Sequence, residues 1–160
     1  MKTLIILRHG KAEGHSRDGD FARELTDRGA ADAARAGREI AKLTSTRPYV
    51  VTSDAVRALS TARIAAAAAG VSGELDIDHD VYESTVDDLL GVLGKIPNEE
   101  HTALLVGHNP TLEDLVFSLV GRDGSFLGLG TACFVQVELD IDDWDAVDDS
   151  QGRIVTSWAP

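Results

Sequence analysis

One cysteine, Cys133, is all that this chain of 160 residues contains. No internal disulfide can form, and no zinc ribbon or cysteine cluster can be assembled. In the apolar run Ala132-Cys133-Phe134-Val135, that cysteine reads as a small core hydrophobe. Basic residues are scarce: 15 Lys and Arg stand against 27 Asp and Glu, for a formal charge of -12. Such a surface repels nucleic acid and anionic lipid, so neither is expected as a partner. It also requires that basic groups in any anion-binding site be placed locally. Long apolar runs are missing too. After Lys2, the strongly apolar stretch Leu4–Leu7 ends at Arg8. A signal peptide needs about 7–15 such residues and a membrane helix about 20, so a cytoplasmic location is expected. His15, His79 and His101 lack metal-ligand spacing and read as surface residues. The acidic run Asp140 to Asp145 has neither the glycine nor the terminal glutamate of a calcium loop, and reads as a solvated hairpin connection.

What is present is an ordinary globular composition, 43% hydrophobic and 26% charged. Leu4–Leu7, Tyr49–Thr52 and Thr102–Val106 read as short buried strands. Between them lie helical stretches. One runs from Ala30 to Leu43 with Thr26 as cap, and one reaches about Ala69 from a cap at Ser53 or Asp54. A third follows Ser84 and Asp87, read as a capping-box pair. A fourth has Asn109 as cap and Pro110 at its first position. Leu75 to Tyr82 alternates apolar and acidic residues, which predicts a half-exposed strand or extended edge segment. Cys133–Leu139 and Arg153–Trp158 predict a late strand pair. Strands alternating with helices imply a single α/β domain over residues 1–160, a three-layer sandwich with a mainly parallel sheet and helices on both faces.

In open α/β sheets, ligands bind where strands end and helices begin. Three predicted strand ends carry residues that a sheet interior does not bury cheaply: Arg8-His9-Gly10, Ser53 through Arg57, and Gly107-His108-Asn109-Pro110. Their common rim position points to one polar pocket, and its composition suits phosphoryl transfer. Arg8 and Arg57 can hold phosphoryl oxygens through their guanidinium forks, and His108 can donate another hydrogen bond. Gly10, lacking Cβ, would let the backbone pass close to the bound group. One histidine must then act as nucleophile, with its far ring nitrogen donating to a carbonyl or carboxylate. Ser53, Arg57 and Thr61 follow at i, i+4 and i+8, which places them on one helix face. Asp18-Gly19-Asp20 reads as a turn.

These residues resemble the histidine phosphatase superfamily, most closely the small bacterial phosphohistidine phosphatases of the SixA type. The matching segments are Leu7 to Ala12, Asp20 with Arg23 to Gly29, Thr52-Ser53 with Arg57-Ala58 and Thr61-Ala62, and Val106 to Pro110. The resemblance implies a phosphoglycerate mutase-like fold and phosphatase activity with no metal and no organic cofactor. His9 would be the phosphoryl acceptor. Arg8, Arg57 and His108 would complete the phosphate pocket, with Ser53 in support. Many members also carry an acid that protonates the leaving oxygen, for which Glu83 is the matching candidate. Beside a helix start, Glu83 also has a capping role open to it. Lys11 and Arg23 are further candidates to hold phosphate, with a surface-charge role as the alternative.

The expected substrate is a phosphohistidine on a signalling or phosphotransfer protein. An imidazole can carry a proton on its other nitrogen and departs more readily than an alkoxide, so it depends less on a positioned acid. A chain of this length also has no room for the large insertions that cap the sites of the sugar-phosphate mutases. Two alternatives remain open. One is a phosphomonoesterase for small phosphate esters, with Glu83 as a working acid. The other is a phosphoprotein-binding module that has lost turnover. Cysteine-dependent phosphatase chemistry is excluded, since neither glycines nor an arginine follow Cys133.

Overall fold

The computed structural model describes residues 1–122 and 125–160. Six strands, β1 Lys2–Arg8, β2 Tyr49–Thr52, β3 Asp76–Ile77, β4 Thr102–Gly107, β5 Phe134–Leu139 and β6 Gly152–Trp158, form one sheet in the order β3-β2-β4-β1-β5-β6. The first four run parallel, and β5 and β6 add an antiparallel edge. The helices are α1 Asp27–Leu43, α2 Val56–Ala68, α3 Val86–Gly94 and α4 Thr111–Val120. No helix of the described residues is long and apolar enough to cross a membrane.

Alternation along the central strands splits the core in two. Ile5, Leu7, Leu104 and Val106 face α1 and α2, where Ala36, Ile40, Ala58, Ala62 and Ala65 complete one cluster. Small residues let those two helices come close. A Cβ on Gly37 would stand 2.3 Å from the Ala65 carbonyl oxygen. Leu4, Ile6, Ala103 and Leu105 face the other way, against Leu89, Leu93, Leu112, Leu115 and Leu119 of α3 and α4. These are the helix-covered faces of the three-layer architecture the sequence predicts.

Several local expectations are corrected. The segment from Leu75 to Tyr82 does supply the sheet edge, as β3, but is not a continuous strand. Only Asp76 and Ile77 pair, with Val51 and Thr52, and the chain then turns through a 3-10 helix at His79–Val81 that buries Val81. The capping box of α3 is Thr85 with Asp88, one residue later than expected, because Ser84 instead donates its hydroxyl to the Val81 carbonyl. α4 has Pro110 at its N-cap, and the Asn109 side chain points its amide elsewhere. α2 has Ala55 at its N-cap, although Ser53 Oγ does accept from the Ala55 N–H at 3.1 Å. The acidic connection between β5 and β6 is only half solvated. Its aspartates are exposed, while Ile141, Trp144 and Val147 drop into the core beside α3, and the Trp144 indole donates to the Glu100 carbonyl at 2.7 Å.

Candidate active site

Parallel register is what assembles the site. Arg8 lies opposite Gly107 in the β1–β4 ladder, and Thr52 lies opposite Val106 in the β2–β4 ladder. His9 and His108, the next residues along β1 and β4, therefore emerge at the same level, and Ser53 follows β2 one residue lower, beside Gly107. Two backbone bonds extend the ladders there, from His9 N–H to the Gly107 carbonyl and from Ser53 N–H to the Val106 carbonyl, both at 3.1 Å. The His9 and His108 rings consequently lie 5.2 Å apart between centroids.

His9 is only 7% exposed. Its Nδ1 lies 2.8 Å from the Gly10 carbonyl oxygen, which can only accept, so the proton sits on Nδ1 and the Nε2 lone pair is free. Burial, with the charges of Arg57, Arg8 and Arg23, lowers the imidazole pKa to about 4 against the opposing pull of the Gly10 carbonyl, so the ring is neutral at pH 7. His108 is lowered further, to about 3, by burial and then by His9 and Arg57. Its Nε2 lies 2.8 Å from Ser53 Oγ. That oxygen already accepts from the Ala55 N–H, so its hydroxyl proton is available for His108 Nε2. With the Ser53 hydroxyl donating to Nε2, the His108 proton sits on Nδ1, where it is a donor.

Arg8 and Arg57 approach from a strand end and from the first turn of α2. Arg8 donates from a terminal nitrogen to the Leu129 carbonyl at 3.2 Å. That carbonyl also accepts from the Asn109 side chain at 2.7 Å, and Glu113 Oε1 accepts both from Asn109 and from the Leu129 N–H, at 3.0 and 2.8 Å. Arg57, buried as its helix face predicts, donates to the Asp20 backbone carbonyl at 2.8 Å and to its carboxylate at 3.1 Å. Among the described residues, four buried side-chain polar atoms have no partner in the chain: Arg8 Nε, Arg57 Nε, His108 Nδ1 and Asn109 Oδ1. All four belong to this one rim, and an unpaired buried polar atom is costly enough to require a reason.

An open cleft of about 410 Å³ adjoins the rim, lined in part by Arg57, Tyr82, Glu83, His108, Asn109 and Thr111. His9 is not in that lining; it lies beside His108. Glu83 is exposed, in left-handed backbone with φ of 51°, and shares the cleft with Arg57 and His108. Its capping alternative is not realised, since Thr85 and Asp88 cap α3. Gly10 receives a different explanation from the expected one. Its N–H is taken by Thr61 Oγ1 at 3.0 Å, and a Cβ would stand 2.6 Å from the Gly29 carbonyl oxygen. Glycine is required there by the close approach of α1. Lys11 is exposed, while Arg23 is joined to the site through Asp20 at 3.0 Å.

Asp20 and Tyr82 are the site neighbours that residue-by-residue reading missed. Asp20 is more than a turn residue: it opens a 3-10 helix at Asp20–Ala22, and its carboxylate accepts from Tyr82, Arg23 and Arg57. The Tyr82 ring in turn lies 5.6 Å from His108 and 5.1 Å from Phe21. His79, though exposed as expected, lies 6.0 Å from Tyr82 and 2.8 Å from the Asp54 carboxylate.

The family profile described as histidine phosphatase superfamily (branch 1) matches residues 4–94, which carry His9, Arg8, Ser53, Arg57 and Glu83. The chain belongs to that superfamily. No curated protein matches it. Among solved structures it is similar to a SixA-type protein from Nakamurella multipartitia, at 25% identity and a TM-score of 0.84 over 99% of this chain and 96% of that one. It is similar in fold to the protein histidine phosphatase SixA complexed with tungstate, at 19% identity and a TM-score of 0.81 over 97% and 95%. A mycobacterial glucosyl-3-phosphoglycerate phosphatase also shares the fold, at 19% identity and a TM-score of 0.72 over 98% of both chains. Membership of the superfamily supports phosphatase activity and leaves the substrate to be argued.

Proposed function

We propose that this protein is a single-domain, cytoplasmic phosphatase that dephosphorylates phosphohistidine on a signalling or phosphotransfer protein through a phospho-His9 intermediate. The observation that carries the reading is the pairing of a neutral His9, whose Nδ1–H is tied to the Gly10 carbonyl, with the unpartnered donors of Arg8, Arg57 and His108 around it. In the first step the His9 Nε2 lone pair forms a bond to phosphorus as the substrate's P–N bond breaks, and the substrate imidazole leaves carrying a proton. In the second, water attacks phosphorus, the Nε2–P bond breaks and inorganic phosphate is released. Both steps spread negative charge over the equatorial oxygens, where two guanidinium groups and the His108 N–H are preorganised to receive it.

The acid inventory favours phosphohistidine. Asp20 has its pKa lowered to about 2, first by its hydrogen bond from Tyr82, so it is ionised at pH 7 and has no proton to give. Tyr82, raised to about 12 by the same bond, donates to Asp20 and is a poor acid for a leaving oxygen. That leaves Glu83, exposed to solvent on the cleft. An imidazole leaving group tolerates such a site better than an alkoxide does. The second reading, hydrolysis of small phosphate esters with Glu83 as acid, rests on the position of Glu83 in the same cleft as Arg57 and His108.

The test is turnover of a phosphohistidine-bearing phosphotransfer protein in parallel with a panel of small esters, with His9→Ala as control. Faster clearance of the protein substrate, lost in the variant, supports the proposal. Faster ester hydrolysis, lost in Glu83→Gln, supports the second reading.

A further inference from the structure

We infer that Asp20 is a positioning residue for Arg57, a carboxylate carried in from a distant loop to set the phosphate-facing edge of a buried guanidinium. The inference rests on the assignment of Arg57 to the phosphate pocket. Arg57 is 5% exposed on the first turn of α2, and the atoms that pair with it there belong to Asp20. One terminal nitrogen meets the Asp20 backbone carbonyl at 2.8 Å and the other meets its carboxylate at 3.1 Å. Such a two-point grip fixes both the place and the plane of the fork, and it uses the terminal nitrogens while leaving Nε unpaired. Arg8 shows the same division, held at a terminal nitrogen with Nε unpaired.

Asp20 is itself held firmly enough to position something else. Its carboxylate accepts from the Tyr82 hydroxyl at 2.7 Å and from Arg23 Nε at 3.0 Å, and Arg23 is anchored to the Glu13 carbonyl at 2.8 Å. Tyr82 is braced in turn, edge-on to Phe21 and to His108, with the Arg57 guanidinium 5.9 Å from its ring centroid. Asp20 is thus joined to the β3–α3 connection, to the loop after β1 and to α2. Its charge is the counterpart that a desolvated arginine needs before an anion arrives.

Calorimetric titration of inorganic phosphate reads this directly, because it needs no knowledge of the substrate. Asp20→Asn should weaken phosphate binding and lower kcat/KM by about 10–100-fold, the range for losing a charge-assisted hydrogen bond. Asp20→Glu should recover part of both. Tyr82→Phe, which keeps the ring and removes the hydroxyl, should lose about 3–10-fold. In an Arg57→Ala background the Asp20→Asn loss should disappear, a coupling that a purely structural role for the loop would not produce. Tighter or unchanged phosphate binding in Asp20→Asn, or a loss that persists without Arg57, overturns the inference. A wild-type protein that neither binds phosphate nor turns over any phosphorylated substrate overturns the functional proposal itself, and this inference with it.

Discussion

The two arginines of the pocket each meet a backbone carbonyl, but among the described residues only Arg57 meets a carboxylate as well. Arg8 ends a central strand, so the β1–β4 ladder already fixes its backbone, and a neutral carbonyl at Leu129 is enough to hold its terminal nitrogen. Arg57 stands on a helix, inside the protein, and is met by a full negative charge from Asp20, whose own side chain is 54% exposed. The anchor of Arg8 is a backbone carbonyl, and the Glu113 side chain acts on it only at second hand, fastening with Asn109 the loop that carries Leu129. The anchor of Arg57 depends on Asp20, which is held by an ion pair with Arg23 and by a hydrogen bond that the Tyr82 hydroxyl donates. A strand end thus places a charged side chain with little help. A helix face buries it, and the burial has to be offset by charge brought from elsewhere.

The comparison can be broken most forcefully by removing the guanidinium groups themselves. Arg8→Ala and Arg57→Ala should each cost about 10²–10³ in kcat/KM, the scale for losing a preorganised charge stabiliser. Steady-state kinetics showing either variant as active as wild type would dissolve the shared pocket. The next effect sharpens the contrast between anchors. Glu113→Ala should lower kcat/KM about 10-fold by freeing the Leu129 loop, and that loss should vanish in an Arg8→Ala background while persisting in Arg57→Ala. Loss that tracks Arg57 instead would mean the two anchors are one. Smaller again is Ser53→Ala, which removes the hydroxyl partner of His108 Nε2 and should cost about 3–10-fold on both sides of the pocket alike.

The smallest effect expected is that of pH. Because kcat/KM reports the free enzyme and burial lowers His9 to about 4, the fall from pH 7 to pH 5 should be under about 2-fold. A histidine at its ordinary value would lose about 25-fold over the same range. The sign for stability follows from the same burial. His9 and His108 both have folded pKa values below the unfolded one, so their neutral burial is favourable above pH 6.5. Below it, the unfolded chain takes up protons that the folded one refuses, and stability declines as pH falls toward 4. Denaturant titrations at pH 7 and pH 5 check this directly.

Much of the fold was legible because buried runs and polar punctuation coincide. Leu4–Leu7 and Ala103–Val106 are fully buried, and the charged residue or histidine that ends each run marks the rim. Thr26 does cap α1, accepting from the Gly29 N–H at 3.0 Å. The helix starts near Ser84 and Asn109 were misplaced by a residue or two because those side chains found other partners, the Val81 carbonyl and the Glu113–Leu129 network. Alternation at Leu75 to Tyr82 reads as strand over its whole length, yet its apolar positions do not share a face: Ile77 is exposed, and Val81 is buried from the 3-10 turn that ends the pairing. The acidic hairpin hid Trp144, whose burial depends on a gap beside α3 that local pattern does not reveal. Asp20 was harder still. Its part comes from Arg57, 37 positions away, and from Tyr82, 62 positions away; the sequence marks Asp20 as a turn residue and as part of the family resemblance, but not its partners.

The central claim is that phosphate passes through His9 Nε2. Its most direct test is rapid chemical quench during turnover of a phosphohistidine protein, followed by peptide mapping and phosphorus NMR of the enzyme. The account predicts an acid-labile phosphoryl group on the nitrogen of His9 that is not bonded to the Gly10 carbonyl, absent in His9→Ala. Undiminished turnover by His9→Ala, or label on the other ring nitrogen, would contradict it.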